Sequence, residues 1–383
     1  MQYQKRKVDY DVSGDMVTLP AKYYQTDAIY KEEISKIFYK RWLMVCREEE
    51  VPEPGDFITV DVGDENIILI RCDKGEVRAH FNVCRHRGTR MCTEESGRFD
   101  AGVIRCPYHA WQYNFNGTVN AAPLMKELPG FQKEDYPLFP AHVGIWGGFV
   151  FINLAEDPVP FEEDLAVLIG KFEPWRMAEL RIAHKIEYTL NCNWKLILQN
   201  YQECYHCPGV HPMLTRWTPF RSATHDSFEG SVMGGYMDLN RECGSMTLDG
   251  AAAGPSVCGV SGDDLQRVYY YSIFPNFLLT PHPDFVMYHR IRSLAIDRIQ
   301  NDCFFLLHPD VIADPDHMER FQSAIAFWDM TNCQDWLVCE QMQQGLRSQR
   351  FRQGVYAAQE DILYCMDNQV LKSLGHSRDD VQG

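Results

Sequence analysis

The chain has 383 residues, 45% of them hydrophobic, a length and composition typical of a globular protein with two domains. It carries 53 acidic and 37 basic residues, and this negative balance argues against nucleic acid or an anionic membrane surface as a partner. The longest apolar run, VGIWGGFVFINLA from Val143, is shorter than the roughly 20 residues of a membrane span and predicts a buried strand.

Two further patterns bear on the cellular compartment. The N-terminal sequence MQYQKRKVDYDV has basic residues without an apolar segment behind them, so we expect no export signal and a cytoplasmic protein. The fourteen cysteines are scattered along the chain, which favours buried, reduced thiols over a disulfide framework.

The first half of the chain predicts one helix followed by a β domain. The helix covers YKEEISKIFYKRW, in which Ile34, Ile37 and Phe38 share one face, and we assign residues 1–41 to the later domain. Over residues 42–155, short β-type runs alternate with Gly, Pro and Asp turns, as in small antiparallel domains. These runs are FITVDV, NIILIRC, GVIRCPYHAWQYNF and VGIWGGFVFINL.

Residues 156–383 mix segments of helical and of strand pattern, which predicts an α+β domain. Helices are expected over FEEDLAVLIGKF, NWKLILQNYQECYH and HMERFQSAIAFWDMTNCQDWLVCEQMQQGLRS, and strands over HKIEYTLN, RVYYYSIF and FVMYHRIRSLAI. The chain contains neither GxGxxG nor GxxxxGK[ST], so no nucleotide-binding loop is predicted.

Two turns of the β domain each combine one cysteine with one histidine. Cys84 and His86 lie in NVCRHRG, and Cys106 and His109 lie in RCPYHAWQY. Such mixed pairs suit a [2Fe–2S] cluster in which two histidines replace two cysteines on one iron. A structural zinc site is the alternative, although in zinc fingers two cysteines usually form one pair and two histidines the other. The third interpretation is that the four are unrelated core residues.

The stretch QNYQECYHCPGVHP, residues 199–212, predicts a second metal site. A helix from Trp194 through His206 would put Glu203 and His206 on one face, and Pro208 and Gly209 would end it so that His211 turns back. Two histidines and a carboxylate form the facial triad of non-haem Fe(II). We therefore predict His206 and His211 as iron ligands.

The carboxylate of this triad is expected from the long C-terminal helix. There Asp335 lies within a largely apolar seam, and a buried carboxylate needs a partner. Asp329 and Glu340 are the nearest rivals, and a plain salt bridge is the other interpretation. Glu203 is a further candidate, but its side chain would more easily reach outward.

The remaining cysteines and histidines of this region have simpler interpretations. Cys204 and Cys207 have the spacing of a redox pair but lack its βα context, so we interpret them as small buried residues. His184, His225 and His282 are taken as ordinary polar residues.

Both motifs resemble those of Rieske-type non-haem iron oxygenases, α subunits. CRHRG followed by CPYHAW is similar to their cluster motif, and Asn193, Trp194, Lys195, Asn200 and Glu203 match their pattern NWKxxxxNxxE/DxYHxxxxH. The resemblance covers nearly the whole chain. It implies a Rieske domain inserted into a helix-grip-type, START-like catalytic domain that has an antiparallel sheet and helices.

The resemblance also implies roles for the site residues. Cys84 and Cys106 would bind one iron of the cluster, and His86 and His109 the other. Glu203 would bridge a Rieske histidine and an iron-ligand histidine, and the family's late Asp ligand falls in a helix similar to that of Asp335. O2 would be the co-substrate, a separate NAD(P)H-dependent flavin or iron–sulfur reductase would supply electrons, and the chains would form a homotrimer.

Within this family, the ECYHCPGVHP and YYYSIFPNFLLTPHPDFVM stretches are most similar to glycine betaine monooxygenases and quaternary-amine demethylases. Aromatic faces attract a quaternary ammonium ion, although aromatic clusters more often only pack a core. The alternatives are an aromatic-ring-hydroxylating dioxygenase and, in another class, a Rieske electron-transfer protein without oxygenase activity. Predicted pocket residues are Trp217, Phe220, Tyr271, Phe277, Tyr288 and Trp328.

Overall fold

The structure, a computed structural model, describes residues 16–381, apart from the side chains of residues 226–229. It divides into two compact units, one from Phe38 to Pro158 and one made of the residues before and after it. The sequence MQYQKRKVDYDV, on which the prediction about export depends, lies outside the described residues. Among the described helices, none combines the length and apolarity needed to cross a membrane.

The unit from Phe38 to Pro158 consists of antiparallel strands. They are β1 (Leu43–Arg47), β2 (Asp56–Val62), β3 (Glu65–Arg71), β4 (Val77–Phe81), β5 (Ser96–Arg98), β6 (Ile104–Arg105), β7 (Gln112–Tyr113), β8 (Val119–Ala121), β9 (Pro140–Trp146) and β10 (Phe149–Asn153). The larger sheet has the order β1-β10-β9-β4-β3-β2-β5, and β6-β7-β8 form a smaller one. The four predicted β runs all contain strands.

The apolar run from Val143 forms a hairpin and not the single strand expected. Trp146 of β9 pairs with Phe149 of β10, and Gly147 and Gly148 between them have φ of 58° and 79°. A two-residue turn with positive φ at both positions matches the twist of antiparallel strands, and glycine adopts it without strain. The glycine pair therefore decides the fold of this run.

The second unit begins with short helices, α1 (Lys22–Gln25) and α2 (Asp27–Glu33), followed by a π-helical turn, Ile34–Phe38. The predicted helix over YKEEISKIFYKRW therefore starts earlier and ends earlier than expected. Ile37 and Phe38, two of the three residues assigned to its apolar face, are buried.

A seven-stranded antiparallel sheet forms the centre of the second unit. Its strands are β11 (Arg181–Leu190), β12 (Thr224–Glu229), β13 (Val232–Asp238), β14 (Arg267–Ile273), β15 (Phe277–Pro281), β16 (Val286–Ala295) and β17 (Arg298–Leu307). The order is β11-β17-β16-β15-β14-β13-β12, so consecutive strands from β12 to β17 are neighbours and β11 closes the far edge.

Helices cover this sheet. They are α3 (Phe161–Asp164), α4 (Trp194–Tyr201), α5 (Cys207–Val210), α6 (Pro212–Trp217), α7 (Pro309–Ile312), α8 (Pro315–Leu346) and α9 (Asp361–Leu374). The long helix α8 is confirmed, whereas α3 is a single turn and α9 was not predicted. Phe321, Phe327 and Trp328 of α8 share one hydrophobic core with Met287 and Phe305 of the sheet.

Caps fix the start of the two helices that matter most for the site. The Asp314 carboxylate accepts the backbone N–H of Asp316 at 2.9 Å before α8, and Pro315 occupies the first turn. The Asn193 side chain accepts the Lys195 N–H at 3.1 Å before α4. Such caps satisfy backbone donors that a helix start leaves without partners.

Candidate metal centres

His206, His211 and Asp335 converge on one point of the second unit. His206 Nε2 lies 3.2 Å from His211 Nε2 and 3.2 Å from Asp335 Oδ1, and His211 Nε2 lies 2.8 Å from the same Oδ1. These three ligand atoms could hold one metal ion together. Two imidazoles and one carboxylate on one side of an ion leave its other positions open, as non-haem Fe(II) chemistry requires.

The helix that brings the two histidines together differs from the predicted one. Helix α4 ends at Tyr201, so His206 does not lie on it, and Pro208 and Gly209 lie within α5 instead of ending a helix. His206 and His211 flank α5, whose backbone bonds run from Val210 N–H to the His206 carbonyl and from His211 N–H to the Cys207 carbonyl. A proline fits the first turn of a helix, so Pro208 is accommodated in the first turn of α5, which begins at Cys207.

Each histidine is oriented through its second ring nitrogen. Glu203 Oε1 lies 2.6 Å from His206 Nδ1, and Gln334 Oε1 lies 2.8 Å from His211 Nδ1. A carboxylate or amide oxygen there accepts the Nδ1 proton, which leaves Nε2 as the metal-binding nitrogen. Gln334 was not predicted, because its partner lies 123 positions away in the sequence.

The two rival carboxylates of α8 have other partners. Asp329 accepts the Tyr188 hydroxyl at 2.7 Å, and Glu340 accepts the Asn191 backbone N–H at 2.7 Å. Asp335 is the carboxylate of α8 that lies beside the two histidines.

The charges of the site favour a cation. Burial lowers the pKa of His206, but hydrogen bonds to Asp335 and Glu203 outweigh it and raise the pKa to about 10. Burial opposes ionisation of Asp335, yet its bonds to both histidines hold its pKa below the usual value. A proton or a metal ion is therefore needed among these groups, and the residues present fit a divalent metal.

Cys204 and Cys207 form a disulfide in the structure, with 4.9 Å between their Cα atoms. The interpretation of both as small buried residues holds for Cys207 but not for the half-buried Cys204, and the disulfide is an exception to the reduced thiols expected for most cysteines of the chain. The pair encloses Tyr205 and His206, so the bond fixes the turn that carries one metal ligand.

A cavity opens beside the three predicted ligands. Several aromatic rings line it, together with His225 and His289. His225, which we interpreted as an ordinary polar residue, therefore borders this cavity. The lining residues most relevant here are Tyr201, Glu203, His206, His211, His225, Tyr236, Tyr270, His289, Trp328, Asp335 and Trp336.

Among the predicted pocket residues, Trp328 lines this cavity and the other five do not. Tyr271 alternates with Tyr270 along β14 and so faces the other side of the sheet, where it meets Phe172. The remaining four pack elsewhere in the core: Trp217 donates to the Thr247 carbonyl, Phe220 lies against the core, Tyr288 stacks on Phe304, and Phe277 contacts Tyr288.

The first unit presents the four cluster residues on two turns of the same form. Gly88 N–H bonds the Cys84 carbonyl and Ala110 N–H bonds the Cys106 carbonyl, at 2.9 and 3.2 Å. Gly88 and Ala110 both have positive φ, 74° and 58°. The two sequence motifs thus fold into equivalent loops.

The side chains of these loops fit a [2Fe–2S] cluster. The rings of His86 and His109 lie 4.6 Å apart, and the buried His86 Nδ1 has no hydrogen-bond partner among the described residues. Cys84 and Cys106 are buried, and burial raises the pKa of the Cys106 thiol. A buried imidazole nitrogen without a partner and a buried thiol are both satisfied by a metal.

Two family models match the chain. Residues 177–376 match the ring hydroxylating alpha subunit (catalytic domain), and residues 41–132 match the Rieske [2Fe-2S] domain.

Curated relatives and solved structures agree with these matches. The chain is 29% identical to the glycine betaine monooxygenase oxygenase subunit of Pseudomonas aeruginosa over 372 residues, 89% of this chain and 85% of that protein. It is 34% identical to the carnitine monooxygenase oxygenase subunit of Acinetobacter baumannii, over 55% of this chain and 57% of that protein. A quaternary ammonium Rieske monooxygenase structure has a TM-score of 0.79, 24% identity, and coverage of 98% and 100%.

The chain therefore belongs to the ring-hydroxylating oxygenase alpha subunits, and it is a Rieske-type non-haem iron oxygenase. Enzymes of this class use a [2Fe–2S] cluster, a mononuclear iron, O2 and electrons from a separate reductase. The predicted α+β fold, the cofactors and the enzyme class are confirmed. The zinc site and the electron carrier without oxygenase activity are no longer needed to explain the two motifs.

Proposed function

We propose that this protein is the oxygenase component of a monooxygenase that demethylates a small quaternary ammonium compound such as glycine betaine. The observation that carries the proposal is the cavity beside His206, His211 and Asp335, which is lined by aromatic rings and two carboxylates. Within the described part of the chain, its lining includes neither Lys nor Arg. Aromatic faces attract a quaternary ammonium ion, which can donate no hydrogen bond, and a lining without Lys or Arg does not repel it.

The relatives support this substrate class. Their names include glycine betaine, carnitine and choline monooxygenases, whose substrates all contain a trimethylammonium group. The match to choline monooxygenase of Arabidopsis thaliana is 26% identical and covers 91% of this chain.

We propose His206, His211 and Asp335 as ligands of the mononuclear iron, and Cys84, His86, Cys106 and His109 as ligands of the cluster. The iron, reduced through the cluster, supplies the activation of O2. The chain's own part is to fix both histidines through Nδ1, to hold the substrate methyl group beside the open side of the triad, and to exclude water. The geometry of the triad and its hydrogen bonds to Glu203 and Gln334 support these roles.

The reaction is a hydroxylation followed by loss of one carbon. One N-methyl C–H bond is replaced by C–OH, while the second oxygen atom of O2 takes two electrons and two protons and leaves as water. The N-hydroxymethyl product then loses formaldehyde and a proton, because the C–N electron pair returns to nitrogen and gives a tertiary amine.

Glu203 is proposed as the acid that couples a cluster to the mononuclear iron, and the assembly as a homotrimer. The hydrogen bond of Glu203 to His206 supports the first part. The trimer and the cytoplasmic location stay predictions.

The test is single turnover of the iron-loaded enzyme, reduced with dithionite and mixed with O2 and a substrate. We expect one formaldehyde per mononuclear iron with glycine betaine and none with benzoate or naphthalene. If an aromatic compound gives a cis-diol and no betaine gives formaldehyde, the protein is a ring dioxygenase and the proposal is wrong.

A further inference from the structure

We infer that three uncharged donors near the triad, Tyr270, His289 and Trp336, hold the carboxylate of the substrate. The cavity is therefore selective for a short betaine, with one carbon between nitrogen and carboxylate. This inference rests on the proposed function and adds how the other end of the substrate is recognised.

Tyr270 supplies the first donor. It lies on β14 and lines the cavity, and its buried hydroxyl has no hydrogen-bond partner among the described residues. Burial and the nearby Asp335 carboxylate raise its pKa, so the hydroxyl keeps its proton. A buried hydroxyl without a partner is destabilising, and a ligand oxygen would supply the missing acceptor.

His289 supplies the second donor. Asn301 Nδ2 lies 3.2 Å from His289 Nδ1 and donates to it, so the proton of the neutral ring is on Nε2. Burial lowers the pKa of His289 to about 4, which keeps the ring uncharged at neutral pH. The side chain is 1% exposed and lines the cavity.

Trp336 supplies the third donor. It follows Asp335 on α8, is 6% exposed and lines the cavity. Its buried indole N–H has no acceptor among the described residues. An indole N–H can only donate, so it is satisfied by an acceptor such as a carboxylate oxygen.

The three donors line the same cavity, and ring contacts connect them through Tyr201. The Tyr201 ring lies 5.9 Å from Tyr270 and 6.5 Å from His289, and the His289 ring lies 5.8 Å from Trp336. The Asp335 carboxylate acts electrostatically on both Tyr270 and His289, and Trp336 follows Asp335 on α8, so the three donors lie near Asp335. Trp328, two turns before Asp335 on α8, lies about 10 Å from Asp335 along the helix axis.

The position of this group determines how long the substrate is. A methyl group must lie at the triad to react, so an oxygen held by donors beside Asp335 belongs to a carboxylate close to the ammonium nitrogen. Glycine betaine satisfies this condition, whereas the three-carbon chain of γ-butyrobetaine would carry its carboxylate away from the donors.

Uncharged donors suit a zwitterion in this cavity. A Lys or Arg would bind the carboxylate but repel the ammonium group a few ångströms away, while N–H and O–H dipoles bind the carboxylate without that penalty. Asp335 would not repel the substrate carboxylate once Fe(II) is bound. The ion has two positive charges, whereas the Asp335 side chain has only one negative charge.

The test measures ligand binding to the purified, iron-loaded protein by isothermal titration calorimetry under anaerobic conditions. The ligands are glycine betaine, γ-butyrobetaine, choline and tetramethylammonium. We expect glycine betaine to bind most tightly. Tyr270→Phe and Trp336→Phe should each weaken glycine betaine binding by about tenfold, the equivalent of one hydrogen bond to a charged group, and leave tetramethylammonium binding unchanged.

The matched control is Tyr271→Phe, on the same strand but on the opposite face from the cavity, which should not change the ratio of the two affinities. Iron content and melting temperature check that each variant is folded and loaded. The inference is overturned if γ-butyrobetaine or tetramethylammonium binds as tightly as glycine betaine to the unmodified protein, or if the variants weaken both ligands equally.

The proposed function fails in a different way. In that case none of the four ammonium compounds binds and none releases formaldehyde, whatever the variants do.

Discussion

At the scale of single residues, Asp335 is the proposed iron ligand with the clearest test. Its carboxylate contacts both histidines, so Asp335→Ala should abolish the binding of mononuclear iron and all turnover. The cluster, whose proposed ligands lie in the other unit, should keep its absorbance and its EPR signal. The measurement is iron and acid-labile sulfide per chain.

Asp329→Ala is the control for Asp335, since Asp329 bonds the Tyr188 hydroxyl and not a histidine of the triad. It should keep its mononuclear iron. Iron retained in Asp335→Ala but lost from Asp329→Ala would show that the ligand assignment is wrong.

In the proposed function, Glu203 acts through His206, to which it is hydrogen-bonded, and does not bind the metal itself. Glu203→Gln keeps an oxygen that can accept the His206 Nδ1 proton but loses the negative charge. We expect both metal sites to stay filled, and electron transfer from cluster to iron to slow about 10- to 100-fold, as seen when groups behind metal ligands are changed. Stopped-flow oxidation of the reduced cluster in the presence of substrate and O2 measures this rate.

Glu340→Gln is the matched control, because Glu340 bonds Asn191. Its rate should equal that of the unmodified protein. Equal rates for all three proteins would leave Glu203 with a structural role only.

The sequence predicted that His206, His211 and Asp335 lie together, but it did not predict most of the residues around them. The spacing of His206 and His211 and the buried position of Asp335 are local signals, and the structure brings these residues together. Gln334 and His289 lacked such a signal. Alternation along β14 separates Tyr270 from Tyr271, but which of the two faces the cavity depends on how the sheet packs, which the sequence does not show.

At the scale of helices and strands, the Asn-Trp-Lys segment before the site has a structural role. Lys195 Nζ bonds Glu33 Oε1 at 2.6 Å, and the Trp194 indole N–H bonds Glu33 Oε2 at 2.8 Å. Lys195 and Glu33 are both fully buried, and burial lowers the pKa of Lys195 while Glu33 opposes that change. Helix α4 is thereby fixed to α2.

This contact gives a stability prediction. Lys195→Met would leave the Glu33 carboxylate buried without its counter-charge, and such a change typically costs about 3–5 kcal/mol. We expect a clearly lower melting temperature by differential scanning calorimetry. The double variant Lys195→Met with Glu33→Gln should recover part of the loss, because no buried charge remains.

Lys36→Met is the control, since Lys36 pairs with Glu32 at the surface, where both side chains are more than one-third exposed. It should change the stability by less than about 1 kcal/mol. If Lys36→Met and Lys195→Met lower the melting temperature equally, the buried pair has no special role.

The elements of this region show why helix ends are difficult to predict. The helix predicted from Trp194 through His206 ends at Tyr201 in the structure, which places a turn at residues 202–206 and starts α5 at Cys207. The disulfide and the hydrogen bonds of Glu203 to the Tyr205 and His206 backbone N–H groups hold that turn. These contacts outweigh the local helical preference, and Pro208 predicts the start of a helix as well as its end.

At the scale of the whole molecule, the chain folds as one unit interrupted by another. Alternating β runs up to residue 155 and the mixed pattern after it predicted boundaries near those of the structure, at Phe38 and Pro158. Composition and periodicity change there, so the boundary has a sequence signal. The assignment of residues 1–41 to the later domain places Glu33 in the same unit as Lys195, with which it forms a buried pair.

The same pair also affects the order of events during synthesis. Glu33 and Lys195 are 162 positions apart, a distance that a ribosome covers in about 10 to 30 s at 5–20 residues per second. All residues of the inserted unit are synthesised during that interval. The Glu33 carboxylate of α2 has no counter-charge until Lys195 of α4 has been synthesised. The unit from Phe38 to Pro158 can therefore complete its fold on the ribosome before α4 is synthesised and packs against α2.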